Sequence, residues 1–244
     1  MKYFAAQLVA VGLILGCAPA FAGGSRTPPP PPRADLGSPT QNIFVSSSEL
    51  PLDVKRVLML PLACDTPDCS LSDGCQMLTP VLQAELIKTG RFEVAATDPE
   101  TLRNCTGRLS WTGEEALPSN FFDSLKQYYG CDAVLFGHLT TFRSSPPLAV
   151  GWRLKLVDIK TGQIIWAADE IYDASNPIIA KAAQRYEKRE QPHQSLVFHI
   201  YSFLAWCINT PTRSALDDQW NILHSPRYFA EFSADQLLKT LPER

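Results

Sequence analysis

A chain of 244 residues, 45% hydrophobic and 19% charged, is long enough for one globular domain with tails. Its formal net charge is −3, and its one basic run, Arg185–Arg189, is interrupted by Glu187. That excludes the electrostatic footprint of a nucleic-acid binder or of a protein drawn to anionic lipid, and the basic run reads as a solvated helix face.

The first 22 residues read as an export signal. Lys2 supplies the positive start, Phe4–Leu15 the apolar stretch, and small residues follow. The stretch falls short of the roughly 20 residues that span a bilayer, and no later run reaches that length without charges. Two cleavage instructions overlap here. Ile14-Leu15-Gly16-Cys17 invites lipid attachment at Cys17 and a cut before it, leaving a signal of 1–16. Ala20-Phe21-Ala22 invites an ordinary cut before Gly23 and a soluble periplasmic protein. Residues 23–50, with five consecutive prolines at 28–32, read as a disordered tether biased to extended polyproline II. A stiff spacer directly after a lipid site favours retention of Cys17 and an outer-membrane anchor facing the periplasm.

From 51 to 173 the pattern is α/β. Val57–Leu62 is an apolar run suited to a strand covered on both faces, and Pro61 marks its end. A cysteine-bearing loop follows. Thr79 is then expected to cap a helix with Pro80 at its first position and Gly90 past its end, burying Leu78, Leu82 and Leu86. Phe92–Ala95 is a second strand, and Ser119 opens a helix that Gly130 closes. Asp132–Leu139 is a buried strand. In Gly151–Ile159, Trp152, Leu154 and Leu156 alternate with Arg153 and Lys155, which predicts a strand with one wet face. Lys160-Thr161-Gly162 turns it into Gln163–Ala168. The order β-α-β-α-β-β-β implies a mixed-sheet α/β sandwich. Residues 174–244 read as a C-terminal helical extension: an amphipathic helix at 176–189, a stretch at 196–208 apolar on all sides, and a last helix opened by Ser225-Pro226.

Seven cysteines suit the export signal. With Cys17 lipidated or removed, Cys64, Cys69, Cys75, Cys105, Cys131 and Cys207 remain. An even number in an oxidising compartment suggests up to three disulfides, in pairings that the sequence leaves open. Cys64 and Cys69 stand at C-x4-C, but Cys75 follows at x5 with no histidine near, a poor zinc spacing. No metal or cofactor is expected. Motifs for hydrolase nucleophiles, metalloproteases and phosphate or dinucleotide loops are all missing. His138 falls in the buried strand, His193 and His199 are six apart, and His224 adjoins the last helix, so none marks a catalytic base. Asp169, Glu170 and Asp173 are the acids on which an alternative reading as an envelope glycan hydrolase would rest.

Three stretches carry a resemblance: "VKRVLMLPL" (54–62), "TPVLQAELIKTGRFEVA" (79–95), and "YGCDAVLFGHLTTF" (129–142) with "WRLKLVDIKTGQIIWAADE" (152–170). As a set they resemble the curli-secretion lipoprotein (CsgG) family and its relatives, the TolB amino-terminal domain and the LpoB-type lipoprotein. The shared signatures are Gly90-Arg91-Phe92, Gly130–Gly137 as G-x-D-x-V-x-x-G, and Asp158–Gly162 as D-x-x-T-G. The resemblance implies a small α/β envelope lipoprotein that works by contact with other envelope proteins, or with copies of itself, rather than by catalysis. A secretion channel of the curli kind would need long membrane hairpins, and the connection Arg143–Val150 is too short for one.

Overall fold

The computed structural model describes residues 42–64, 69–190 and 221–244, apart from the side chains of Cys69, Ser70 and Glu190. Its centre is a six-stranded mixed sheet: β1 (Ile43–Val45), β2 (Arg56–Met59), β3 (Glu93–Ala96), β4 (Ala133–Arg143), β5 (Ala149–Asp158) and β6 (Ile164–Asp173). The spatial order is β1-β6-β5-β4-β2-β3. β2 pairs in parallel with β3 and β4, whereas β4, β5, β6 and β1 run antiparallel to their neighbours. The helices are α1 (Cys69–Lys88), α2 (Pro99–Thr106), α3 (Phe121–Tyr129), α4 (Pro177–Glu190) and α5 (Pro226–Leu238). This is the expected α/β class with a C-terminal helical part.

Two cores flank the sheet. On one side, Trp152, Leu154 and Leu156 of β5 and Val57 and Met59 of β2 pack with Leu78, Leu82 and Leu86 of α1 and Phe229, Phe232 and Leu237 of α5. On the other, Leu58, Val134, Phe136 and Val157 meet Leu102 of α2, Trp111, and Phe121 and Leu125 of α3. The period-two alternation in β5 therefore sorts its side chains as the sequence predicts.

Three expectations are corrected. Residues 43–50, counted with the tether, belong to the fold: β1 pairs with β6, and Leu50 is buried with its N–H donating to the Glu243 carbonyl. Three residues of edge strand carry too little pattern to stand out from a polar leader. The helix expected to open at Thr79 begins ten residues earlier and holds Pro80 inside. Thr79 is no cap. Its hydroxyl donates to the Cys75 carbonyl at 2.7 Å and accepts the Leu62 N–H at 3.4 Å, so a proline that removes one helical hydrogen bond sits where the helix is tied to the sheet. Finally, α2 was not foreseen, although Asp98 caps it by accepting the Thr101 N–H at 3.0 Å and Pro99 opens it. The apolar stretch 196–208, His193 and His199 lie outside the described residues.

The family-like signatures prove to be joints. Gly130 ends α3 in the left-handed region at φ 61°, where a side chain would be strained. Asp132 accepts the N–H groups of Lys55 and Arg56, both at 3.0 Å, and so sets where β2 enters the sheet. Gly137 lies under Leu62, and a Cβ there would come within 2.6 Å of Leu62 Cδ2. Arg91 donates to the Leu238 and Leu241 carbonyls at the end of α5. Asp158 accepts the Lys160 N–H at 2.7 Å in the β5–β6 turn. These residues build the fold, and a functional site has to be sought elsewhere.

Candidate functional site

On the second sheet face, the core with α2 and α3 takes in β2, β4 and the Val157 end of β5. Among the described residues the other half of that face is open. Cross-strand pairing puts Lys155 and Arg153 of β5 beside Ala167 and Asp169 of β6, with Phe44 of β1 opposite Ala167. Phe44 is 53% exposed, and Ile171, two residues beyond Asp169 on the same face, is 56% exposed.

A shallow groove of about 390 Å³ runs over this area, lined chiefly by Asn42, Phe44, Glu114, Arg153, Lys155 and Asp169. Arg153 is its hub. The guanidinium Nε donates to Asp169 Oδ2 at 2.7 Å, and Nη1 donates to both oxygens of Glu114 at 3.1 and 3.2 Å. Lys155 Nζ donates to the Gly113 carbonyl at 2.6 Å. Glu114 and Gly113 arrive on the loop between α2 and α3, which is pinned on its own account. Glu115 accepts the Thr112 N–H at 3.0 Å and pairs with Arg108, whose guanidinium lies 4.6 Å over the Trp111 ring. Partial burial works against the Glu115 charge, but the Thr112 and Arg108 bonds hold its carboxyl below the usual range. The loop is thus a rigid arm that delivers one acid to the groove.

The acids singled out from the sequence divide. Asp169 lies in the groove, bound to Arg153. Asp173 ends β6, and although partial burial opposes it, hydrogen bonds from Ser175 and Arg143 keep its carboxyl low. Glu170 is paired across from Trp152 and projects from the opposite side of the sheet to Asp169. The three therefore do not converge. Carboxyls held above their ordinary value lie elsewhere: Glu85 on α1 and Glu187 on α4, each raised first by burial.

His138 is buried in β4, as its strand implies, and lines a small recess with Phe136 and Thr112 next to the groove. His224 precedes α5. Cys64, Cys75, Cys105 and Cys131 are free thiols in this structure, and the side chains of Cys17, Cys69 and Cys207 lie outside the described residues. No group of three or more His, Cys, Asp or Glu among the described residues is placed to hold a metal, and no described helix is long and apolar enough to cross a membrane. Of the groove residues, Arg153 and Lys155 were legible as a wet strand face. Asn42, Phe44 and Glu114 carried no signal, because an edge strand and a loop bring them there.

No family model and no curated protein matches the chain. Similar solved structures include a PelC dodecamer from Paraburkholderia phytofirmans, 12% identical over 83% of this chain and 96% of that one, at a TM-score of 0.44. Lipoprotein GNA1162 from Neisseria meningitidis is 16% identical over 64% and 99%, at 0.35. The LpoB C-terminal domain from Salmonella enterica is 16% identical over 48% and 82%, also at 0.35. Envelope lipoproteins are thus among the proteins this chain is similar to, at low identity, and no function passes from them on that ground.

Proposed function

We propose that this chain is a non-catalytic interaction module of the bacterial envelope, anchored by lipid on Cys17 at the periplasmic side of the outer membrane, that binds another envelope protein through the open sheet face. The observation that carries the reading is the groove itself. A rigid platform presents exposed Phe44 and Ile171 beside an Arg153 already oriented by Asp169 and Glu114. Aromatic and arginine side chains held in place before binding are the usual anchors of a protein interface, since little conformational freedom is lost when they are covered. The export signal, the lipid site and the proline-rich spacer support the location. Asp169 and Asp173, committed to arginines, and Glu170, turned to the other side, support binding over hydrolysis, which needs two carboxyls facing one bond. The five residues between β4 and β5 support a module without channel hairpins.

Two experiments test the reading. Membranes from cells making the full chain are crosslinked and the adducts identified by mass; Phe44→Ser and Arg153→Glu are expected to lose the principal adduct while the domain stays folded. An adduct with a second copy of the chain would make self-assembly the function of this face. Cys17→Ser is expected to move the protein from membranes to the soluble periplasmic fraction, and unchanged fractionation would count against the anchor.

A further inference from the structure

The first half of α1 is docked on the end of the strand that precedes it. Leu62 donates its N–H to Thr79, and Cys75 Sγ donates to the Ala63 carbonyl at 3.5 Å. The Ala63 N–H in turn donates to the Gly137 carbonyl at 2.9 Å, so this strand end is fixed to β4. At that junction Cys75 Sγ rests against the residue next to Cys64, and Cys64 packs against the core cluster that holds Cys75. Cys75 is buried, while Cys64 is only half-buried. Burial and the neighbouring Cys64 push the Cys75 thiol up to about 12, so Cys75 alone is a poor nucleophile, and Cys64 is the sulfur a reagent can approach.

The structure assigns Cys64 and Cys75 to one disulfide, formed after export by exchange with a donor disulfide and tying the segment after β2 to the first half of α1. The pairing goes beyond the proposed function and rests on its export component alone. The Cys64 thiolate attacks one sulfur of the donor, a mixed disulfide forms, and one donor thiolate leaves. Cys75 gives its proton to solvent and its sulfur displaces the second donor thiolate. Two protein thiols become one disulfide, the donor disulfide becomes two thiols, and two electrons pass to the donor. A disulfide asks for Cα atoms within about 7 Å, a demand that the residue after Ala63 and a helix cysteine hydrogen-bonded to Ala63 are placed to meet. Closing a short loop also restricts the unfolded chain, which predicts a gain on the order of a hundredfold in the folding equilibrium.

The sequence makes the test clean. Cleavage before aspartate puts Cys64 in 53–64, Cys69 in 68–72, Cys75 in 73–97, Cys105 in 98–122, Cys131 in 123–131 and Cys207 in 173–216. Purified full-length protein is reduced, refolded with oxidised glutathione, alkylated, digested without reductant and weighed. Linked 53–64 and 73–97 is the expected product. A link from either peptide to 68–72, or both peptides recovered alkylated, overturns the pairing. The same digest of protein taken from cells separates the two ideas. The link formed with glutathione but missing in cells would leave the pairing standing and sink the export reading. Cys64→Ser and Cys75→Ser should each leave the other cysteine open to alkylation in denaturant and lower the folding equilibrium alike; a loss from one variant only would show that the effect is packing and not a bond.

Discussion

The two faces of the sheet are built from the same strands and are covered differently. In β5, Trp152 is fully buried and its Nε1 donates to Ser233 Oγ at 2.8 Å, inside the core formed with α1 and α5. Its neighbour Arg153 points the other way, into the open groove, where Asp169 and Glu114 hold it. The apolar cover on the first face is continuous. On the second it stops at α2 and α3, and charge takes over where Lys155 and Arg153 begin. Alternation of side chains alone thus separates a closed apolar core from an open charged surface across one strand. The separation can be broken from either side.

The largest effect is expected at Trp152. Trp152→Ala removes a fully buried aromatic ring and the N–H that Ser233 Oγ accepts, which should cost about 3–5 kcal/mol in urea unfolding. A cost below about 1 kcal/mol would mean that this face is not the principal core. Next is Gly137→Ala. The added methyl meets Leu62, and overpacking of this kind costs about 1–3 kcal/mol. Leu62→Ala in the same chain should recover part of that loss, because it empties the space the methyl needs. A double mutant no better than the sum of the singles would show that Gly137 serves backbone geometry instead.

These two residues also show what the sequence could and could not reveal. Trp152 was legible because a strand with one wet face announces both its sides. Gly137 was legible only as part of a resemblance, since its reason is the approach of Leu62 from the segment after β2, a contact 75 positions away in the chain. The start of α1 was hidden by Pro80, which in a sequence reads as a helix beginning and here is tolerated mid-helix. The groove was half legible. Arg153 and Lys155 followed from alternation, whereas Phe44 sits on a three-residue edge strand too short for any period, and Glu114 on a loop whose course depends on Arg108 and Trp111. Local pattern fixes which residues are wet, and tertiary pairing decides which of them meet.

A smaller effect concerns the covered face and pH. Glu85 on α1 is buried against α5, and burial holds its carboxyl above the ordinary value, with Asp235 and Glu231 adding to the rise against the opposing Lys88 ion pair. A carboxyl raised in the folded state binds its proton more tightly there than in the unfolded chain. Its contribution to stability is therefore fully present below the unfolded value, near 4.5, and is lost as pH rises through the folded value. Asp173 acts in the opposite sense, since its lowered carboxyl stabilises above the ordinary value and fails as pH falls. Glu85→Gln should flatten the decline in stability above pH 4.5 and raise the melting temperature at neutral pH. An unchanged pH profile would place the slope on other groups, Glu187 first among them.

The smallest effect on folding belongs to the open face, and it sharpens the comparison most. Arg153 is about one-third exposed with ion-pair partners that are themselves half open, so Arg153→Ala should cost no more than about 1 kcal/mol. Phe44→Ser removes a ring already 53% exposed and should cost about 0.5 kcal/mol or less. Both substitutions should nevertheless weaken capture of the crosslinked envelope partner by tenfold or more, since losing a central arginine or aromatic anchor commonly costs 2 kcal/mol or more of binding. Trp152→Ala, assayed at a temperature where it remains folded, should bind normally. That crossed result, stability lost without binding at 152 and binding lost without stability at 153, is what two faces with separate tasks require. If Arg153→Ala instead unfolds the domain, the Arg153–Asp169–Glu114 cluster is a structural brace, and the partner surface has to be sought on the edge at Phe44 and Ile171.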